Sequence, residues 1–218
     1  MNELLAEYAA LLARVDAWFA GALAAYPDDI TCHRGCSACC SGLFDITLPD
    51  AALLKSGFDL LPSSIREALT AQAQARIDAL RKRRPEFVPP YLLDGLSEEG
   101  WLELLAEFDD SPCLLLDPEG LCLLYAYRPM TCRLHGLPLM DLTGELHDDA
   151  CCTLNFIGQE PLQLTGLRGE FTEILSQETS LVAEFNLLAT GIFTAQRDTL
   201  IPAALLVDHG AGAPHGHL

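Results

Sequence analysis

A chain of 218 residues is long enough to bury a core without disulfides or metals as folding aids, so its nine cysteines call for a chemical explanation. The formal charge of −18, from 31 acidic against 13 basic residues, repels phosphate backbones and anionic lipid, which argues against nucleic acid or a membrane surface as partner. The apolar runs Ala17 to Tyr26 and Leu121 to Tyr127 fall well short of the ~20 residues of a membrane-spanning helix, and MNELLAEYAALLARVDAWF lacks the basic start and unbroken apolar centre of a secretory signal. A cytoplasmic protein is therefore expected. In that reducing compartment clustered cysteines are metal ligands or redox-active thiols rather than stable disulfides.

Leu4, Leu5, Tyr8, Leu11, Leu12, Val15, Trp18 and Phe19 recur at the spacing of one helical face, which predicts a helix over residues 3 to 25, ending before Pro27. A short helix is expected from Leu48 to Lys55, started by Pro49-Asp50. A longer one runs from Pro62 or Ser63 to Arg84, with Ser64 and Glu67 at capping-box spacing. The cations Arg81, Lys82, Arg83 and Arg84 at its end suit the helix dipole and read as a solvated terminus. Pro85 to Gly95 is a connection. Ser97 then caps a helix carrying Trp101, Leu102, Leu104, Leu105 and Phe108, whose first turn holds Glu98 and Glu99.

From Asp109 to Phe156 the helical period disappears. Pro112, the turn Asp117-Pro118-Glu119-Gly120, Pro129, Pro138 and Gly144 suit loops and turns, with a small hairpin around LCLLY. A further helix is expected near Leu167 to Ala189 and a short one within Ile192 to Leu206. The fold expected is mainly α, a single helical domain with irregular cysteine-rich loops around a metal site. Within it lie an N-terminal helix packed on the core (1–31), a cysteine-rich region with inserted helices (32–156), C-terminal helices (157–208) and a disordered tail (209–218) whose His209, His215 and His217 lack fixed surroundings.

The stretch CHRGCSACC places Cys32, Cys36, Cys39 and Cys40 within nine positions, and the second group comprises Cys113, Cys122 and Cys132, closed by the pair Cys151 and Cys152. Short spacing lets successive thiolates face one ion at little ordering cost, and Cys36 and Cys39 have the two-residue gap of a metal turn. Cys36 and Cys40 would equally share one face of a helical turn. Cys39 and Cys40, being adjacent, point different ways, so either one of them is not a ligand or two centres share the segment. Three thiols in five positions are poorly explained as inert core residues. One of Cys151 and Cys152 is the natural candidate for an unpaired ninth thiol. Arg128 and Arg133 lie beside Cys132, where a guanidinium offsets thiolate charge and bonds sulfur or loop carbonyls.

The order C-x3-C-x2-C-C, then P-C with a later G-L-C, then Y-x-x-R-P-x-x-C-R, from Cys32 to about Cys152, resembles the zinc- or iron-chelating CxxCxxCC or YkgJ-like domain family. The resemblance implies ligands among Cys32, Cys36, Cys39, Cys40, Cys113, Cys122, Cys132 and one of Cys151 or Cys152, holding zinc or an iron-sulfur cluster. The family also includes a flagellin lysine N-methylase, but no glycine-rich S-adenosylmethionine loop is visible here, and that activity is not carried over.

A cysteine-ligated metal-binding protein is therefore the expected function. Zinc would make it a structural or binding module, whereas an iron-sulfur cluster would make it a redox or radical enzyme with a redox or protein partner. Thiol count does not separate the two, since both use four thiolates. A thiol-disulfide protein built on Cys36 and Cys39 is weaker, because that motif expects a strand-helix context and leaves the other cysteines without a role. His33 and His135 stand near ligand candidates and His147 beside Asp148 and Asp149, all three read as surface or supporting groups. Without a P-loop, a Gly-x-Ser-x-Gly or a dinucleotide fingerprint, any catalysis would have to come from the metal.

Overall fold

Tyr8, Leu11, Leu12, Val15 and Ala22 form one buried stripe along helix α1, Asn2–Ala25, as their spacing requires. In the computed structural model, which describes residues 1–210, that stripe packs against α5, Met130–Leu134, and α6, Phe171–Thr190. By length and composition α1 could also cross a bilayer, a property the count of uninterrupted apolar runs did not register. Between α1 and α5 lie α2, Leu48–Asp59, α3, Ser63–Arg83, and α4, Glu98–Phe108. The last helix, α7, spans Ile201–Leu206 and packs against α2 and α3.

Two of the helices start on side-chain caps. The Thr47 hydroxyl accepts from the Asp50 amide at 3.3 Å to start α2, and Ser97 accepts from Gly100 at 3.1 Å to start α4. At α3 the expected capping box is not formed: the helix already begins at Ser63, so Ser64 is inside the first turn and no side chain caps it. Of the four cations at the α3 terminus, Arg83 reaches Glu107 at 2.8 Å and Arg84 pairs with Glu103, so half of the cluster fastens α3 to α4 instead of facing only solvent.

Two small antiparallel pairs close the frame. Strand β1, Asp45–Thr47, pairs with β4, Asp198–Leu200, in the register Ile46 to Thr199. Strand β2, Leu139–Met140, pairs with β3, Leu146–Asp148. Neither pair was expected, and the short helix foreseen within Ile192 to Leu206 occupies only its last six residues, the rest going to β4 and its approach.

The apolar interior falls into several patches. One, with Leu54, Phe58, Leu69, Ala73, Leu115, Leu124 and Ile201, underlies Cys113, Cys122 and Cys132. Another, with Ala22, Ile30, Leu137, Met140, Phe156 and Leu167, underlies Cys32 and Cys151. His209 is buried, not part of a free tail, and burial pushes its imidazole down to about 4. Residues 211–218, including His215 and His217, lie outside the described residues.

Candidate metal centre

Three stretches of irregular backbone carry eight of the nine sulfurs, and α5 carries Cys132. In the first, the Cys36 amide donates to His33 O at 3.0 Å and the Cys40 amide to Ser37 O at 2.9 Å, two successive turns. This is not the strand-helix setting of a thioredoxin-type pair. The second stretch is fastened to the first by its backbone: Cys113 N–H donates to Cys40 O and Gly42 N–H to Ser111 O, both at 2.8 Å.

The hairpin expected around LCLLY is narrow. Leu123 N–H donates to Leu115 O and Asp117 N–H to Leu121 O, each at 2.9 Å, and a bridge joins Leu116 to Cys122. Its tip is shaped by the Asp117 carboxylate, which accepts from the Glu119 and Leu121 amides, and by Gly120 at φ +80°. A Cβ at Gly120 would stand 3.3 Å from Ser37 Oγ, so glycine serves both the turn and its approach to the first cysteine loop.

The two hairpin thiols share one local design. After each comes Leu-Leu, and a backbone bond from residue i+3 closes the turn, Leu116 to Cys113 O and Tyr125 to Cys122 O. In each, the amide of residue i+2, Leu115 or Leu124, faces the sulfur and favours its thiolate form. Amides aimed at sulfur are what a bound thiolate uses, because they spread its charge.

Together these stretches enclose a cavity of about 210 Å³ lined by Cys32, Cys36, Cys39, Cys40, Cys113, Cys122 and Cys132. All nine cysteines are free and half-buried. Among the described residues no three side chains of Cys, His, Asp or Glu stand ready to hold one ion, so the sulfurs are gathered around a space but not converged on a point.

Burial raises the Cys113, Cys122 and Cys132 thiols, so without a cation they favour the neutral form. Interaction with the adjacent Cys40, together with burial, raises the Cys39 thiol, and the same interaction lowers Cys40 in spite of its burial. The donor set suits a soft or borderline cation, since a metal stabilises every thiolate that burial opposes.

Cys151 and Cys152 do not line this cavity. Cys151 donates to Gly136 O at 3.4 Å, and Gly136, at φ +110°, would place a Cβ 3.3 Å from Cys32 Sγ and 3.9 Å from Cys152 Cβ. The organiser here is Asn155, which the sequence reading missed. Its carbonyl accepts from Thr31 N–H at 2.9 Å and the Thr31 hydroxyl at 3.0 Å, while its amide donates to Gly136 O at 2.8 Å and lies 3.5 Å from Cys32 Sγ. The spacing C-C-x-x-N was the available signal, made concrete by the Asn155 amide donating to Cys152 O at 2.9 Å.

Arg128 and Arg133 both line the cavity. Arg133 is buried, donates to Arg128 O at 2.9 Å and Ala126 O at 3.1 Å, and pairs with Asp16. Arg128 bonds Asp16 at 2.8 Å and lies over the Tyr125 ring at 4.3 Å. The expected bonds to loop carbonyls are present for Arg133. Asp16, on α1 and more than a hundred residues away in sequence, is a second missed participant. The Arg128 charge still eases ionisation of Cys122 and Cys39.

His33 lines the cavity but shares a 2.7 Å bond with Thr31 O, and His135 faces both this cavity and a neighbouring one. His147 is 3.2 Å from the Thr172 hydroxyl. The neighbouring cavity, about 270 Å³, is lined by Asp45, Asp50, Glu178 and Asp198 among others. Asp50 is buried there and receives the Met130 amide at 3.1 Å, and burial, with Glu178 nearby, raises its carboxyl to about 7.

Sulfur-bearing loops mounted on a helical frame define a cysteine-cluster domain. The family follows from the sequence of those loops: residues 31–153, more than half of the chain, match the CxxCxxCC model, described as “Putative zinc- or iron-chelating domain”, and the chain belongs to that family. Searches of curated proteins and of solved structures find no match.

Proposed function

We propose that this is a metal-binding protein in which cysteine thiolates hold zinc or iron, in the cytoplasm, where the thiols stay reduced. The observation that carries the reading is the cavity bordered by seven cysteines from separate stretches of chain. The paired Cys-Leu-Leu turns, with an amide facing each sulfur, support it. Cys32, Cys36, Cys39, Cys40, Cys113, Cys122, Cys132, Cys151 and Cys152 are the candidate ligands, with Arg128 and Arg133 fixing the loops behind them.

The cavity, about 210 Å³, leaves room for a metal centre among the sulfurs. Zinc and an iron-sulfur cluster are the two candidates, since both use thiolate ligands. A cluster would supply one-electron chemistry, whereas zinc would supply folding energy and a rigid surface.

Elemental analysis and an absorption spectrum of protein purified without oxygen test the reading. Iron with matching inorganic sulfide and visible colour would establish the cluster. Colourless protein with stoichiometric zinc would establish the binding module, and protein that takes up neither metal would refute the proposal.

A further inference from the structure

Four observations divide the thiols in the same way. Cys113, Cys122 and Cys132 rest on the patch of Leu54, Phe58 and Leu115, while Cys32 and Cys151 rest on the separate patch of Ile30, Leu137 and Phe156. Backbone bonding ties Cys40 directly to Cys113, and a bridge carries the hairpin on to Cys122. Gly136 and Asn155 instead gather Cys32 with Cys151 and Cys152, at the far side of the first loop. The first loop divides in the same way: the His33–Cys36 turn follows directly on Cys32, whereas the next turn, Ser37–Cys40, carries Cys39 and Cys40.

We propose that the chain holds two separate metal sites, an inner one formed by Cys40, Cys113, Cys122 and Cys132 and an outer one formed by Cys32, Cys36, Cys151 and Cys152. Cys39, which shares the Ser37–Cys40 turn with Cys40, is the ninth thiol and a ligand of neither. The inference rests on the metal-binding reading and adds the number of centres and the membership of each. It gives both Cys151 and Cys152 a role and moves the spare thiol to Cys39. The two sites differ in their support. The inner one sits on a hairpin and α5, whereas the outer one depends on the 151–155 turn being held to Cys32 by Asn155.

Cobalt(II) titration of the reduced full chain, after chelation of any resident metal, tests the division. Cobalt-thiolate absorbance reports only sulfur-bound metal and ignores ions caught by histidine. The wild type is expected to bind two equivalents. The double variants C113S/C122S and C151S/C152S should each bind one, with different residual spectra, and C39S should bind two. Circular dichroism checks that each variant is folded. If the inner-site variant fails to fold, C151S/C152S and C39S still decide the matter. One equivalent in the wild type, loss of all sulfur-bound cobalt in folded C151S/C152S, or loss of an equivalent in C39S would overturn the division. A wild type that binds no cobalt through sulfur would instead defeat the metal-binding reading itself.

Discussion

The helices and the cysteine loops are held together by different means. Tyr8, Leu54, Ile77, Leu80, Phe171 and Phe185 are almost wholly buried, and the helices that carry them are stabilised by apolar contact. The loops from residues 31 to 44 and 109 to 156 bury fewer such anchors, among them Leu115, Leu124 and Leu137, and rely on turns, the Asn155 network and the guanidinium of Arg133. On the metal-binding proposal, a frame of the first kind should stand without metal, and loops of the second kind, whose sulfurs are not converged among the described residues, would receive their last convergence from the ion.

The contrast fails if the frame and the thiols prove inseparable. The largest expected effect is on metal: Cys132→Ala should weaken binding at its site by more than about 100-fold, beyond the usual loss when a supporting residue is removed, while far-UV circular dichroism stays helical. Unchanged metal content would take Cys132 off the ligand set. In the frame, Ile77→Ala should cost about 2–5 kcal/mol in denaturant unfolding through the cavity it leaves, with metal stoichiometry unaltered. A parallel loss of metal in the folded variant would mean that the two regions are one cooperative unit.

Asn155→Ala lies at the joint between them. It removes the side-chain partner of the Thr31 amide and one of several donors to the Gly136 carbonyl, which keeps the Cys152 amide, a loss of about 0.5–1.5 kcal/mol per bond. It should also lower metal affinity about 10–100-fold, as loss of a ligand-orienting group does. A stability loss without an affinity loss would make Asn155 a purely structural residue.

The smallest effect concerns pH and belongs to the frame. Burial raises Asp198 to about 6, with Asp45 and Glu178 adding repulsion, and raises Glu178 as well. A carboxyl whose pKa is higher in the folded state binds its proton more tightly there, so stability declines as pH rises from about 4 to about 6. For Asp198, which is partly exposed, the decline is about 1–2 kcal/mol after allowance for solvent screening. Asp198→Asn should flatten that part of the stability profile measured on metal-free protein, and an unchanged slope would exclude Asp198 as its source.

The sequence spoke clearly where a physical signal is local and repeated. The buried stripe of α1 and the long face of α6 follow from spacing, and the Ser97 cap of α4 follows from residue type. The five residues of α5 are too few to show a period, and β1 pairs with β4 across some 150 intervening residues, a partnership no local pattern encodes. The thiols were legible as a set because their spacing is unusual. Their grouping was not, since it depends on which turn Asn155 draws against Cys32 and on Cys113 bonding back to Cys40. Likewise Arg133 could be placed beside sulfur from its neighbours in sequence, but its partner Asp16 comes from α1.

The most direct test of the thiol-metal account is titration of the free thiols of native, oxygen-free protein before and after a strong chelator. Bound metal predicts that most of the nine cysteines are slow to react until the chelator is added, after which all nine titrate while the helical signal persists. Nine thiols reacting at once in the untreated, folded protein would contradict it.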